Sequence, residues 1–91
     1  MSELILAIDP NQDALALLQE MLEEKDYEVR ATQDGSEGLR MAILEKPNLI
    51  LLDASLVNGE ADISQHLREN QNTAEIPIMV IADEEEVDPS G

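Results

Sequence analysis

Three short, solid runs of apolar residues set the frame of this chain: residues 4–8 (LILAI), 48–52 (NLILL) and 76–82 (IPIMVIA). A weaker run lies at 28–32 (EVRAT). The solid runs lack the in–out alternation of a half-exposed strand, so they read as strands buried on both faces. Longer stretches with apolar residues at helical spacing separate them. Leu15, Leu18 and Leu22, joined by Ala14, Leu17 and Met21, form one stripe across 10–24. Leu39, Ala42 and Ile43 repeat the pattern across 36–46, where Asp34 and Glu37 have capping-box spacing and Pro47 is the stop. A third, mostly polar helix is expected across 59–70, carrying Ile63 and Leu67. The order β-α-β-α-β-α-β implies right-handed crossovers and a parallel α/β sheet covered on both faces.

A chain of 91 residues that is 43% apolar suits one small folded domain with a modest core. That domain is expected over residues 1–82; the stretch 83–91 (DEEEVDPSG) has too much charge to pack and is expected to be loose. Tyr27 is the only aromatic, so Leu, Ile, Val, Ala and Met must fill the interior, with Met21, Met41 and Met79 as filler. Twenty-one acidic residues against five basic ones give a formal charge of −16. That field repels nucleic-acid backbones and anionic membrane surfaces and favours a basic protein partner. With no cysteine, disulfides and thiol chemistry are excluded. The N-terminal segment MSELILAID has neither the basic region of a signal peptide nor the length of a membrane span, which makes the cytoplasm the expected location.

Acidic residues follow three of the apolar runs: Asp9, Asp53 and Asp83. In open parallel sheets ligands bind at the carboxyl ends of the strands, and carboxylates gathered there suit a hard cation such as Mg²⁺. Each residue also has a plainer role. Asp9 reads as an N-cap, with Pro10 at the first helical position and Gln12 at the capping-box position. Asp83 opens an acidic, solvated run. Asp53 directly follows LILL and has no evident helix to cap.

Taken in order, the segments LILAID, DALALLQEMLEEKDYEV, ATQDGSEGL, KPNLILLDASL, HLREN and IPIMVIA resemble the receiver domain of two-component response regulators across residues 3–82. The resemblance implies a flavodoxin-like, three-layer fold with strand order 2-1-3-4, here without the fifth strand and last helix. That order brings Asp9, Asp53 and Asp83 to one rim. It also implies that Asp53 is the phosphoacceptor, taking a phosphoryl group from a sensor histidine kinase with the help of Mg²⁺.

Measured against the family's pattern, the site is incomplete. Where the family has an acidic pair after the first strand, this chain has Asp9 and then Pro10. Ala82 stands where the family has Ser or Thr, and no lysine follows a fifth strand. The segment after Asp53 reads Leu56-Val57-Asn58-Gly59 in place of the family's Met-Pro and Asp-Gly. The expected function is therefore that of a degenerate receiver, not an enzyme, acting by protein–protein interaction with no cofactor or with weakly bound Mg²⁺. The alternative is a working phosphoacceptor at Asp53 with Asp9, Asp83 or Asn11 as metal ligand. An enzyme or flavin carrier on the same fold is disfavoured, because the chain shows no nucleophile–base pair, no phosphate loop and no aromatic residues to flank a flavin. His66, on the polar third helix, reads as a surface residue, and Gly35 and Gly38 as turn and packing glycines. An apolar fourth strand left at the sheet edge predicts a homodimer through that edge or the uncovered face beside it.

Overall fold

The computed structural model describes residues 3–57 and 62–81. They form β1 (Leu4–Ile8), α1 (Gln12–Glu23), β2 (Glu28–Thr32), α2 (Gly35–Glu45), β3 (Leu49–Asp53), a single 3₁₀ turn (Ala54–Leu56), α3 (Ile63–Glu69) and β4 (Ile78–Ile81). The four strands are parallel and stand in the order β2-β1-β3-β4, as expected.

The side-chain alternation of β1 and β3 divides the core between two faces. Leu6, Ile8, Ile50 and Leu52 point to one side, where they meet Ala42 of α2 and Ile63 and Leu67 of α3. Ile5, Ala7 and Leu51 point to the other, against Leu15 of α1. Both central strands are buried on both faces, which is why they read as unbroken apolar runs.

β4 departs from that reading. It starts at Ile78, later than the expected 76–82, since Pro77 precedes its first paired residue, and Met79 and Val80 are 55% and 45% exposed. Pairing with β3 covers one edge, and no described strand lies beyond the other. Among the described methionines, only Met41 packs against a buried cluster; Met21 is exposed like Met79. On α1 the buried stripe is narrower than expected: Leu15, Leu18 and Leu22 face the sheet, whereas Leu17 and Met21 are rotated into solvent.

Local chemistry sets the helix ends. Asp34 caps α2 by accepting the Ser36 N–H at 3.0 Å. The expected reciprocal bond from Glu37 is not made; its carboxylate accepts the Thr32 hydroxyl at 2.8 Å, and Thr32 Oγ1 in turn accepts the Asp34 N–H at 3.2 Å. At its far end α2 closes on Lys46 in the left-handed region (φ 49°), followed by Pro47. β3 starts one residue later than expected, at Leu49, because Asn48 closes the strand's start: its side-chain oxygen accepts the Leu4 N–H at 2.8 Å. The third helix is shorter than 59–70 and begins after Asp62, whose carboxylate accepts the Ser64 hydroxyl at 2.7 Å and the Gln65 N–H at 3.2 Å. Those bonds, the Ser64 hydroxyl above all, hold the Asp62 carboxyl below the usual carboxylate range. Gly38 faces β1 so closely that a Cβ there would lie 2.5 Å from Ile8 Cδ1.

Candidate functional site

The carboxyl ends of β1 and β3 lie side by side. Ile8 pairs with Leu52, so the next residues, Asp9 and Asp53, emerge together on the rim, about 4.8 Å apart along the hydrogen-bonding direction. Two of the three expected acids are thus brought together. Asp83, like Ala82, Asn58, Gly59 and the stretch 83–91, lies outside the described residues.

Asp9 is 6% exposed. Its N–H donates to the Thr32 carbonyl at 3.2 Å, extending the β1–β2 ladder by one bond. Its Oδ1 accepts the Asn11 N–H at 2.9 Å. The expectation that Asp9 caps α1 is corrected: the cap is Asn11, whose side-chain oxygen accepts the N–H groups of Asp13 at 2.8 Å and Ala14 at 3.2 Å. Pro10 is accordingly not the first helical residue, and the helix starts at Gln12. The reason is geometric. Asp9 still belongs to the sheet, and its carboxylate is occupied by the turn that carries the chain to Asn11. Across this turn Gln33 Nε2 donates to the Pro10 carbonyl at 2.8 Å, tying the loop after β1 to the loop after β2.

Asp53 is half-buried. It does have something to cap, contrary to expectation: the 3₁₀ turn that starts at Ala54. Its Oδ2 accepts the Ser55 N–H at 3.0 Å and also the Ser55 hydroxyl. Sequence reasoning passed over Ser55. The available signal was a serine two residues after an aspartate, a spacing at which backbone and hydroxyl both reach back to the carboxylate.

Asp9 and Asp53 would hold Mg²⁺ if it binds, a donor set within what this ion uses, since it takes one or two carboxylates and keeps several waters. Among the described residues no three acidic, histidine or cysteine side chains gather as a metal site. The remaining candidates lie elsewhere. His66 is exposed on α3, as expected, while Lys25 and Lys46 follow α1 and α2 at the opposite end of the sheet. Among the described residues no helix is long and apolar enough to cross a membrane.

Comparison with known proteins agrees with this fold. Residues 5–89 match the family described as response regulator receiver domain. The alkaline phosphatase synthesis transcriptional regulatory protein PhoP of Bacillus subtilis is 36% identical over 86 residues, which is 93% of this chain and 36% of that protein. The response regulator ArlR of Staphylococcus saprophyticus is 35% identical over 79 residues, 85% of this chain and 34% of that one. The chain therefore spans about a third of the length of these relatives. Among solved structures, a response regulator from Desulfuromonas acetoxidans superposes with a TM-score of 0.79 at 23% identity, covering 88% of this chain and 66% of that one. One from Burkholderia multivorans gives 0.69 at 32% identity, covering 92% and 68%. By fold and by the matched segment, the chain belongs to the response regulator receiver domain family, the receiving side of two-component signalling.

Proposed function

We propose that this receiver acts mainly as a protein-interaction module, with little phosphorylation at Asp53. The observation that carries the reading is the residue beside Asp9. Pro10 offers no side-chain ligand, so the described rim holds two carboxylates where Mg²⁺ and an incoming phosphoryl group would need strong neutralisation. The partner is a sensor histidine kinase or another signalling protein, in the cytoplasm, with no nucleic acid or membrane engaged by a surface of charge −16. Incubation with phosphoramidate and Mg²⁺, followed by intact mass, tests it. Little or no adduct is expected; stoichiometric addition of one phosphate, absent in Asp53→Asn, would overturn the reading.

A second reading, a working phosphoacceptor, is favoured by one observation: Asp9 is not used as a helix cap and stays on the rim beside Asp53. In that case an Asp53 oxygen attacks the phosphorus of a phosphohistidine, the O–P bond forms as the P–N bond breaks, and the imidazole nitrogen leaves with the electron pair. Bound Mg²⁺ supplies charge neutralisation between the two anions. Metal binding that disappears in Asp53→Asn supports this reading, and no binding at millimolar Mg²⁺ counts against it.

Self-association is part of the proposal. β4 has no described neighbour on its outer edge, and Met79 and Val80, on opposite faces of it, are both exposed. A second copy related by a two-fold axis is the simplest closed way to cover such a strand. Light scattering after gel filtration is expected to give twice the 10.0 kDa chain mass at high concentration. A monomer throughout would refute it.

A further inference from the structure

We propose that Ser55 is a positioning residue that holds Asp53 in its unmodified state and so restrains phosphorylation. The inference deepens the reading of Asp53 as a weakly used phosphoacceptor and rests on it. Ser55 gives both its N–H, at 3.0 Å, and its hydroxyl to one oxygen of the carboxylate, Oδ2. The other oxygen, Oδ1, receives no hydrogen bond from a described residue and is the one left to attack. At Asp62 the Ser64 hydroxyl likewise reaches back, 2.7 Å from the carboxylate, with the N–H of Gln65 at 3.2 Å beside it. Spacing alone does not make the clamp, since Asp34 accepts the N–H of Ser36 at 3.0 Å without its hydroxyl.

The clamp acts on the reaction because the two states of Asp53 accept hydrogen bonds unequally. In the free residue Oδ2 shares a full negative charge, and bonds to an ionised acceptor are roughly twice as strong as neutral ones. When Oδ1 forms the O–P bond, the P–N bond of the donor breaks, the nitrogen departs with its electron pair and takes a proton from solvent, and Oδ2 becomes a neutral carbonyl oxygen. The Ser55 hydroxyl therefore stabilises the reactant more than the acyl phosphate. Fixing the carboxylate also orients Oδ1, which favours reaction, but this gain is limited to the few orientations open to a half-buried carboxylate. Ground-state stabilisation is the larger effect.

The test compares the wild-type chain with Ser55→Ala, Ser55→Thr and Asp53→Asn, using phosphoramidate and Mg²⁺ with intact mass over time. Ser55→Ala is expected to incorporate phosphate about fivefold faster than wild type, the difference between a charged and a neutral acceptor. Ser55→Thr, which restores the hydroxyl, should return to the wild-type rate, and Asp53→Asn should incorporate none. If Ser55→Ala is poorly folded, Ser55→Gly makes the same deletion. A second readout needs no phosphorylation: the Ser55 amide proton resonance should move upfield in Asp53→Ala. Equal or slower incorporation in Ser55→Ala, no incorporation in either protein, or an unmoved Ser55 resonance overturns the proposal. The wild-type adduct alone decides whether Asp53 is weakly used, so the two claims fail separately.

Discussion

Asp9 and Asp53 occupy matching places, each one residue past a paired position on neighbouring strands, and each accepts the N–H of the residue two ahead. There the likeness ends. Asp9 is buried at 6% exposure, and the helix that follows is capped by another residue. Asp53 is half-buried, caps its own 3₁₀ turn and takes a hydroxyl as well as an amide. The same side chain at the same strand end thus becomes part of the structure in one case and, on our proposal, a restrained reactive group in the other. What differs is the two residues downstream: Pro10 and Asn11 carry the chain over the rim and pin it to Gln33, while Ala54 and Ser55 turn back onto the carboxylate.

The largest expected contrast is in stability. Asp9→Ala should cost about 1–3 kcal/mol, the range for removing a buried hydrogen-bonding partner. Asp53→Ala should cost no more than about 1 kcal/mol, the loss of one cap. Urea unfolding of the two variants checks the order, and equal costs would erase the distinction between them. Next in size is the cap itself: Asn11→Ala should cost about 1 kcal/mol. It should also speed amide exchange at Asp13 and Ala14, whereas Asp9→Asn should leave those two amides as they are. Exchange that quickens in Asp9→Asn instead would return the capping role to Asp9. A smaller effect separates the residues by metal. Mg²⁺ at a concentration equal to its dissociation constant should stabilise the wild type by about 0.4 kcal/mol. The shift should vanish in either Asp9→Asn or Asp53→Asn, and its survival in Asp9→Asn would confine any metal to Asp53.

Asp62 gives the smallest signal and extends the comparison to a third aspartate. Its carboxyl lies below the usual carboxylate range because the Ser64 hydroxyl and the Gln65 amide bond the charged form. A lowered value stabilises the fold above the unfolded pKa of about 3.9, and the contribution is lost as pH falls through the lower, folded value. Protection of the Gln65 amide, relative to its intrinsic exchange rate at each pH, should therefore fall only in acid, and Ser64→Ala should move the onset to higher pH. An onset unchanged by Ser64→Ala would show that the hydroxyl is not the cause.

The sheet was legible because solid apolar runs such as Ile5–Ile8 and Ile50–Leu52 admit few other fates in a chain this short, and its strand order came through the family resemblance. Asp34 was legible as a cap, despite Thr32 and Ser36 nearby, because Glu37 stands three residues on and the apolar stripe of α2 follows at once. At the start of α1, Asp9, Asn11 and Asp13 are all capping residues within five positions, and sequence spacing does not say where the sheet releases the backbone. Met21, Met79 and Leu17 read as core because an apolar side chain carries no mark of whether another element will cover it. Ser55 was passed over for a related reason: a hydroxyl beside a carboxylate matters only once a turn folds one onto the other.

The close approach of Gly38 to Ile8 bears on how such a chain can change over generations. With no room for even a methyl group, Gly38→Ala alone should push α2 off the sheet, an overpacking cost of about 1–3 kcal/mol. Ile8→Ala alone should leave a cavity costing about 2–5 kcal/mol. Made together, the added methyl group falls into the space the isoleucine vacated, and the combined cost should be well below the sum of the two. Positions 8 and 38 are separated by thirty residues of chain, yet the packing predicts that they change together, because altering either alone costs stability that the second change restores.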